Sequence, residues 1–145
     1  MAATIDATIK GENANSYVTL TEANSYFETV PDSSTWTDKT DDQKNRSLIS
    51  ATRWIDGFVF YGDRCDSGQA LKFPRNNYQV DGVELACSAI PQNIKYAQFE
   101  LARALANDTG AITGTTGKDG NFSEVKLGDL QVKYNTESQG TGSIN

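Results

Sequence analysis

ENANSYVTLTEANSYF, residues 12–27, contains Ala-Asn-Ser-Tyr twice, at 14–17 and at 23–26. The offset is far below the roughly 20 residues of common solenoid units, and no third copy follows. What lies between the copies decides the reading. Thr19-Leu20-Thr21-Glu22 has the T-x-x-E form of a capping box. The Thr hydroxyl accepts from a backbone N–H three residues on, and the Glu reaches back to the Thr N–H. A helix is therefore predicted from about Leu20 to Thr29, with Leu20, Ala23, Tyr26 and Phe27 on its buried face. The first copy precedes the cap, where Tyr17 and Val18 suit an extended approach. The same four letters are predicted in two conformations.

A second capping box, Thr40-Asp41-Asp42-Gln43, starts a helix predicted over about Asp41–Asp56 and stopped by Gly57. Its two acids sit in the first turn, where the helix dipole favours them. Leu48, Ala51 and Ile55 form the apolar line, flanked by Ile49 and Trp54. Ile90-Pro91 opens a third helix, to about Asn107, because proline fits the first helical position. Ile94, Ala97, Gln98, Leu101 and Leu105 fall on one stripe, beside Tyr96 and Phe99.

Outside these helices the signals are shorter. Thr4 to Ile9 roughly alternates and reads as a strand. Pro31 to Ser34 reads as a loop, as does Asn107 to Gly120. Phe58 to Tyr61 either extends the second helix briefly or packs as an extended end. Asp81-Gly82 is a turn signal. Glu124 to Tyr134 alternates around Gly128-Asp129, which is either a hairpin turn or a bulge within one bent strand. The expected fold is mainly α with a small β component (α+β). It is a three-helix body with a short N-terminal strand and a C-terminal β-hairpin or bent strand. One domain is expected over 1–134, followed by an extended polar tail, 135–145.

The chain has 145 residues, of which 37% are hydrophobic, so one domain with a modest core is expected. No apolar run reaches the roughly 18 residues of a membrane span. The start, MAATIDATIKGEN, lacks the basic and apolar segments of a secretory signal, so a soluble chain made in a cytoplasm is expected. Thirteen basic against 19 acidic residues give a net charge of −6, opposite to the usual footprint of a nucleic-acid binder. Cys65 and Cys87 leave both a disulfide and two free thiols open; a cytoplasmic setting favours thiols.

The absence of histidine excludes Ser-His and Cys-His nucleophile pairs. Neither nucleotide-loop motif is present, and Gly110 to Gly120 lacks the strand-to-helix setting of a phosphate loop. Asp63, Asp66 and Asp81 do not have calcium-loop spacing. No enzyme activity, cofactor or metal is expected. Phe73-Pro74-Arg75 with Tyr61, Arg64 and Tyr78 is the best stretch for stacking and holding a single strand. The competing reading packs Phe73 and Tyr78 over the helices and pairs Arg75 with an acid, and it carries more weight. Trp36 and Trp54 read as core. The C-terminal strands present an edge to which another chain can add.

Several pieces together resemble a family of tailed-phage virion proteins, the head–tail connectors or adaptors, often described as DnaT-like single-stranded DNA-binding proteins. They are Ala14-Asn15-Ser16-Tyr17-Val18 with Thr21-Glu22-Ala23 and Tyr26, then Ser50-Ala51-Thr52-Arg53-Trp54-Ile55-Asp56, then Gln69-Ala70-Leu71-Lys72-Phe73-Pro74-Arg75. Asp81-Gly82-Val83, Ile90-Pro91 with Ile94-Lys95 and Ala97, Glu100-Leu101-Ala102 and Val125 to Leu130 follow in order. The family more often has Trp where Phe73 stands.

The resemblance implies a structural ring of about twelve copies beneath the phage portal protein, in contact with tail or further neck proteins. The genomic DNA passes through it. The chain would reside in the virion neck, and in the host cytoplasm during assembly, with no membrane partner. Phe73, Pro74 and Arg75 in the loop, Val132 and Tyr134 in the strand and Ile144 in the tail are the expected partner contacts. The alternative is a DnaT-like replication accessory that binds single-stranded DNA.

Overall fold

The computed structural model describes residues 2–108 in full, and the backbone of residues 112–116, 122–127 and 130–133. Among the described residues, three helices, α1 (Leu20–Phe27), α2 (Ser34–Thr37) and α3 (Asp41–Ile55), precede two small antiparallel sheets, and a fourth, α4 (Gln92–Asn107), precedes a third. β1 (Asp63–Arg64) pairs with β2 (Arg75–Asn76), and β3 (Gln79–Val80) with β4 (Val83–Glu84). β5 (Ile112–Thr116), β6 (Phe122–Leu127) and β7 (Leu130–Lys133) form the third sheet in that order. The α+β class holds. Among the described residues no helix is long and apolar enough to cross a membrane.

Both capping boxes form. Thr19 accepts from the Glu22 N–H at 3.1 Å while Glu22 takes the Thr19 N–H at 3.1 Å. Thr40 and Gln43 repeat the exchange at 3.1 and 2.9 Å. α1 therefore starts where expected and ends slightly early, and the two Ala-Asn-Ser-Tyr copies do differ in conformation: the first is loop, the second helix. At α4, Pro91 is the N-cap itself, one residue before the helix.

α3 and α4 pack together as the centre of the body. The main core gathers Val18, Ala23, Phe27, Trp36, Leu48, Ala51, Phe99, Ala102 and Leu105. Phe27 and Trp36 stack at 4.7 Å between ring centroids. Trp36 enters from α2, a helix of four residues inside what reads as loop. Its indole N–H donates to Asn24 Oδ1 at 2.9 Å, so the ring is fully buried with its polar atom satisfied. Trp54 packs half-buried against the same core.

Three expectations fail. Residues 4–9 form no strand. The segment's polar backbone groups are met by side chains and one loop instead. The Ala3 N–H donates to Asp42 at 2.8 Å, and Asn45 donates to Ala3 O at 3.0 Å. Asn15 behaves as a neighbouring strand would, accepting from the Asp6 N–H at 2.8 Å and donating to Thr4 O at 3.0 Å. Within the expected loop 107–120, residues 112–116 form β5 on the edge of the last sheet. Cys65 and Cys87 are joined in a disulfide, with Cα atoms 5.9 Å apart. In the last sheet the pairing of Val125 with Val132 and of Leu127 with Leu130 makes β6–β7 a hairpin rather than one bent strand.

α2 has no side-chain cap, so it depends on its tryptophan for stability. Trp36→Ala should lower unfolding free energy by about 3–5 kcal/mol, measured by urea denaturation. Thr40→Ala should cost only about 1 kcal/mol.

Candidate functional site

The Phe73-Pro74-Arg75 stretch lies inside the fold, as the weightier of its two readings had it for Phe73. Phe73 is 2% exposed, and Pro74 is fully buried after a cis peptide bond. Phe73 makes edge-to-face contacts with Phe60 at 4.7 Å and Tyr78 at 4.9 Å, in a second core with Tyr17, Ile55 and Ile94. Arg75 is 8% exposed and, among the described residues, pairs with no acid; it donates to the backbone. Its guanidinium meets Tyr61 O at 2.8 Å, Lys72 O at 3.1 Å, Phe60 O at 3.4 Å and Gly62 O at 2.5 Å. A planar fork of donors is what four converging carbonyls require.

Gly62 sits beneath this turn at φ +77°, and a Cβ there would lie 1.9 Å from Asn76 O. That close approach fixes the β1–β2 pairing. The side chains of Phe73, Pro74 and Arg75 are therefore buried within the subunit itself. They hold the loop from which other residues project. Val132 lies in β7, opposite Val125. Tyr134 and Ile144 lie outside the described residues.

The loop is fastened to the helices by a half-buried carboxylate. Asp56, the C-cap of α3, accepts a short hydrogen bond from the Tyr17 hydroxyl, and its other oxygen accepts from the Lys72 N–H at 3.1 Å. The Tyr17 hydroxyl in turn accepts from the Phe73 N–H at 3.2 Å. Burial pushes the Asp56 carboxyl above the usual carboxylate range, against its hydrogen bonds from Tyr17 and Lys72. Burial first, and then the Asp56 charge, push the Tyr17 phenol far up, so it stays protonated and donating.

Two open grooves mark the described surface. One, of about 440 Å³, runs between α1 and α4. Tyr26 stacks on Phe99 at 4.5 Å and lies 5.6 Å from Tyr96, which is half exposed. Lys95 stands at its edge, bonded to Glu22 at 2.8 Å. Burial works against the Glu22 charge, but Lys95 and the Thr19 N–H hold its pKa below the usual value. Tyr26 donates to Glu100 at 2.6 Å, and this bond with burial pushes the phenol up to about 12. The second groove, of about 400 Å³, lies along α3 between Ala3 and Arg46, Ile49, Ser50 and Arg53. Sequence reading placed Tyr26, Tyr96 and Phe99 on helix faces, and nothing in their spacing marks a groove. Among the described residues no group of three or more His, Cys, Asp or Glu is placed to hold a metal.

Fold and surface define a small α+β protein whose 60–76 loop is pinned from within and whose described surface carries open grooves. The sequence matches, over residues 1–145, the family described as "Putative DnaT-like ssDNA binding protein", and the chain belongs to that family. No curated protein and no solved structure matches it.

Arg75→Ala leaves four partly buried carbonyls without their donors and should destabilise the protein by roughly 2–4 kcal/mol. A contact residue would leave the melting curve unchanged. A second outcome concerns acid. Because its folded pKa is raised, charged Asp56 costs stability at neutral pH, and that cost is relieved as pH falls through the folded value towards the unfolded one. Tyr17→Phe removes a donor that opposes this shift. The variant should be less stable than wild type at about pH 7, and the difference should narrow towards about pH 4, as read from urea midpoints.

Proposed function

We propose that this chain is a structural connector subunit of a tailed-phage neck, forming a ring beneath the portal protein through which the genome passes. The observation that carries this reading is the inward packing of the one aromatic–basic stretch. The side chains best suited to grip a single strand are committed to the chain's own core and carbonyls. Three further basic groups on the described surface are engaged by acids: Lys95 by Glu22, Arg103 by Glu100 at 2.5 Å and Arg46 by Asp42 at 2.7 Å. The net charge of −6 opposes a polyanion and suits a wall that DNA must slide past. The three-stranded sheet adds pairing edges of the kind that join subunits. The role is structural rather than catalytic, and the protein belongs in the virion neck.

A second reading is single-stranded DNA binding, which the family description backs more directly than it backs a connector. Its place on this chain is the α1–α4 groove, where a base stacks on Tyr96 and Tyr26 and a phosphate competes with Glu22 for Lys95.

Two measurements separate the readings. Mixed with its phage's portal protein, the purified chain should yield particles with a ring of this subunit under the portal, seen by cryo-electron microscopy. Titrated with a labelled single-stranded oligonucleotide at low salt, it should show no saturable binding. Saturable binding that weakens steeply with salt and is lost in Tyr96→Ala, with bare portals in the mixture, would replace the first reading by the second.

A further inference from the structure

The α3 groove and the β3–β4 hairpin are complementary surfaces on one molecule. In the groove, Arg46 and Arg53 lie two helical turns apart with Ser50 between them, over a floor of Ile49 and Ala3. Arg46 pairs with Asp42, but among the described residues no acid pairs with Arg53, which is exposed. The hairpin carries the opposite pattern. Its turn, Asp81-Gly82, has φ of 52° and 80°, the left-handed pair that a two-residue hairpin requires. It presents Asp81 and Glu84 on either side of Val83, which is 70% exposed. An apolar tip of that exposure flanked by two acids matches an apolar floor flanked by two arginines.

We propose that the hairpin of one copy docks in the α3 groove of the next, with Glu84 and Asp81 meeting Arg53 and Arg46 and Val83 covering Ile49. The two surfaces differ, so the contact is head-to-tail. Repetition of such a contact closes a ring when the rotation permits. A second copy is favoured over nucleic acid because the groove floor is aliphatic rather than aromatic, and because the acidic partner is part of the chain itself. The hairpin is anchored at both ends. Tyr78 anchors one end on Phe73, the Leu85 N–H closes on Tyr78 O at 2.8 Å, and the disulfide at Cys87 ties the other end to β1–β2. The inference rests on the connector reading and names the contact between its subunits.

The test is self-association of the full-length chain by analytical ultracentrifugation over a concentration series, at low and high salt. Wild type should associate, less at high salt. Arg53→Glu and Glu84→Arg should each weaken association about tenfold or more with unchanged melting temperature. The double variant, which restores opposite charges, should recover most of the loss. Val83→Ser should also weaken association, but with the salt dependence retained. Absence of self-association, or association indifferent to both reversals, overturns the proposal. So does a groove whose reversal abolishes oligonucleotide binding and leaves self-association intact. Rescue by the double variant without portal binding keeps this contact and removes the connector reading. A ring on the portal that ignores both reversals keeps the connector and removes the contact.

Discussion

A single fully buried carboxamide, that of Gln98, holds the N-terminal segment, α3 and α4 in register. Its Nε2 donates to Ser16 Oγ at 2.7 Å and to Leu48 O at 3.0 Å, and its Oε1 accepts from the Tyr17 N–H at 3.1 Å. Both amide hydrogens and the oxygen are thus matched without water. In a low-dielectric interior such a set is strong when complete and costly when one member is missing. Ser16, itself buried, adds a bond to Val18 O at 2.6 Å. Tyr17 is thereby fixed at its backbone, and its hydroxyl can reach Asp56 and Phe73. From Phe73 the chain runs on to Arg75 and the carbonyls of 60–62. One polar line passes from the centre of α4 to the loop that projects the hairpin.

That line explains why short motifs scattered along the sequence belong together. Ser16 and Tyr17 from the stretch 14–18, Asp56 from 53–56, Lys72 to Arg75 from 69–75 and Gln98 from α4 supply consecutive links of one network. None of these stretches carries recognisable chemistry alone. Their side chains serve each other, which leaves the groove walls and the hairpin tip outside the network. A protein arranged in this way can hold stiff loops on a modest core. Stiff loops lose little entropy when they dock.

The helices were legible because their signals are local. Thr19 and Thr40 each need only a Glu or Gln three residues on, and the apolar stripe of α4 already includes Gln98. The partners of Gln98 were not legible, since Ser16 and Leu48 lie 82 and 50 residues away. The inward packing of Phe73 was the weightier of two readings, but the backbone carbonyls that Arg75 meets in place of the expected acid were hidden for the same reason. Those residue types suit a stacking surface equally well, and only contacts with Phe60, Tyr78 and the 60–62 carbonyls decide. The alternation at residues 4–9 misled because Asn15 imitates a strand partner with its side chain. Trp36 read correctly as core, but its four-residue helix has no cap to announce it. Two cysteines 22 residues apart fit a disulfide and two thiols alike, until the fold brings them together. The fold class was therefore readable from periodicity and caps. The surface was readable only after the interior was known.

Native-state hydrogen exchange tests the claim about the interior most directly. The Tyr17 N–H, bonded to Gln98, and the Phe73 N–H, bonded to the Tyr17 hydroxyl, should exchange only through global unfolding. Their free energies of opening should track denaturant stability, while the exposed hairpin 79–84 opens locally at lower cost. If Tyr17 and Phe73 exchange as readily as that hairpin does, the buried line does not hold the loop, and the account of the surface built on it fails.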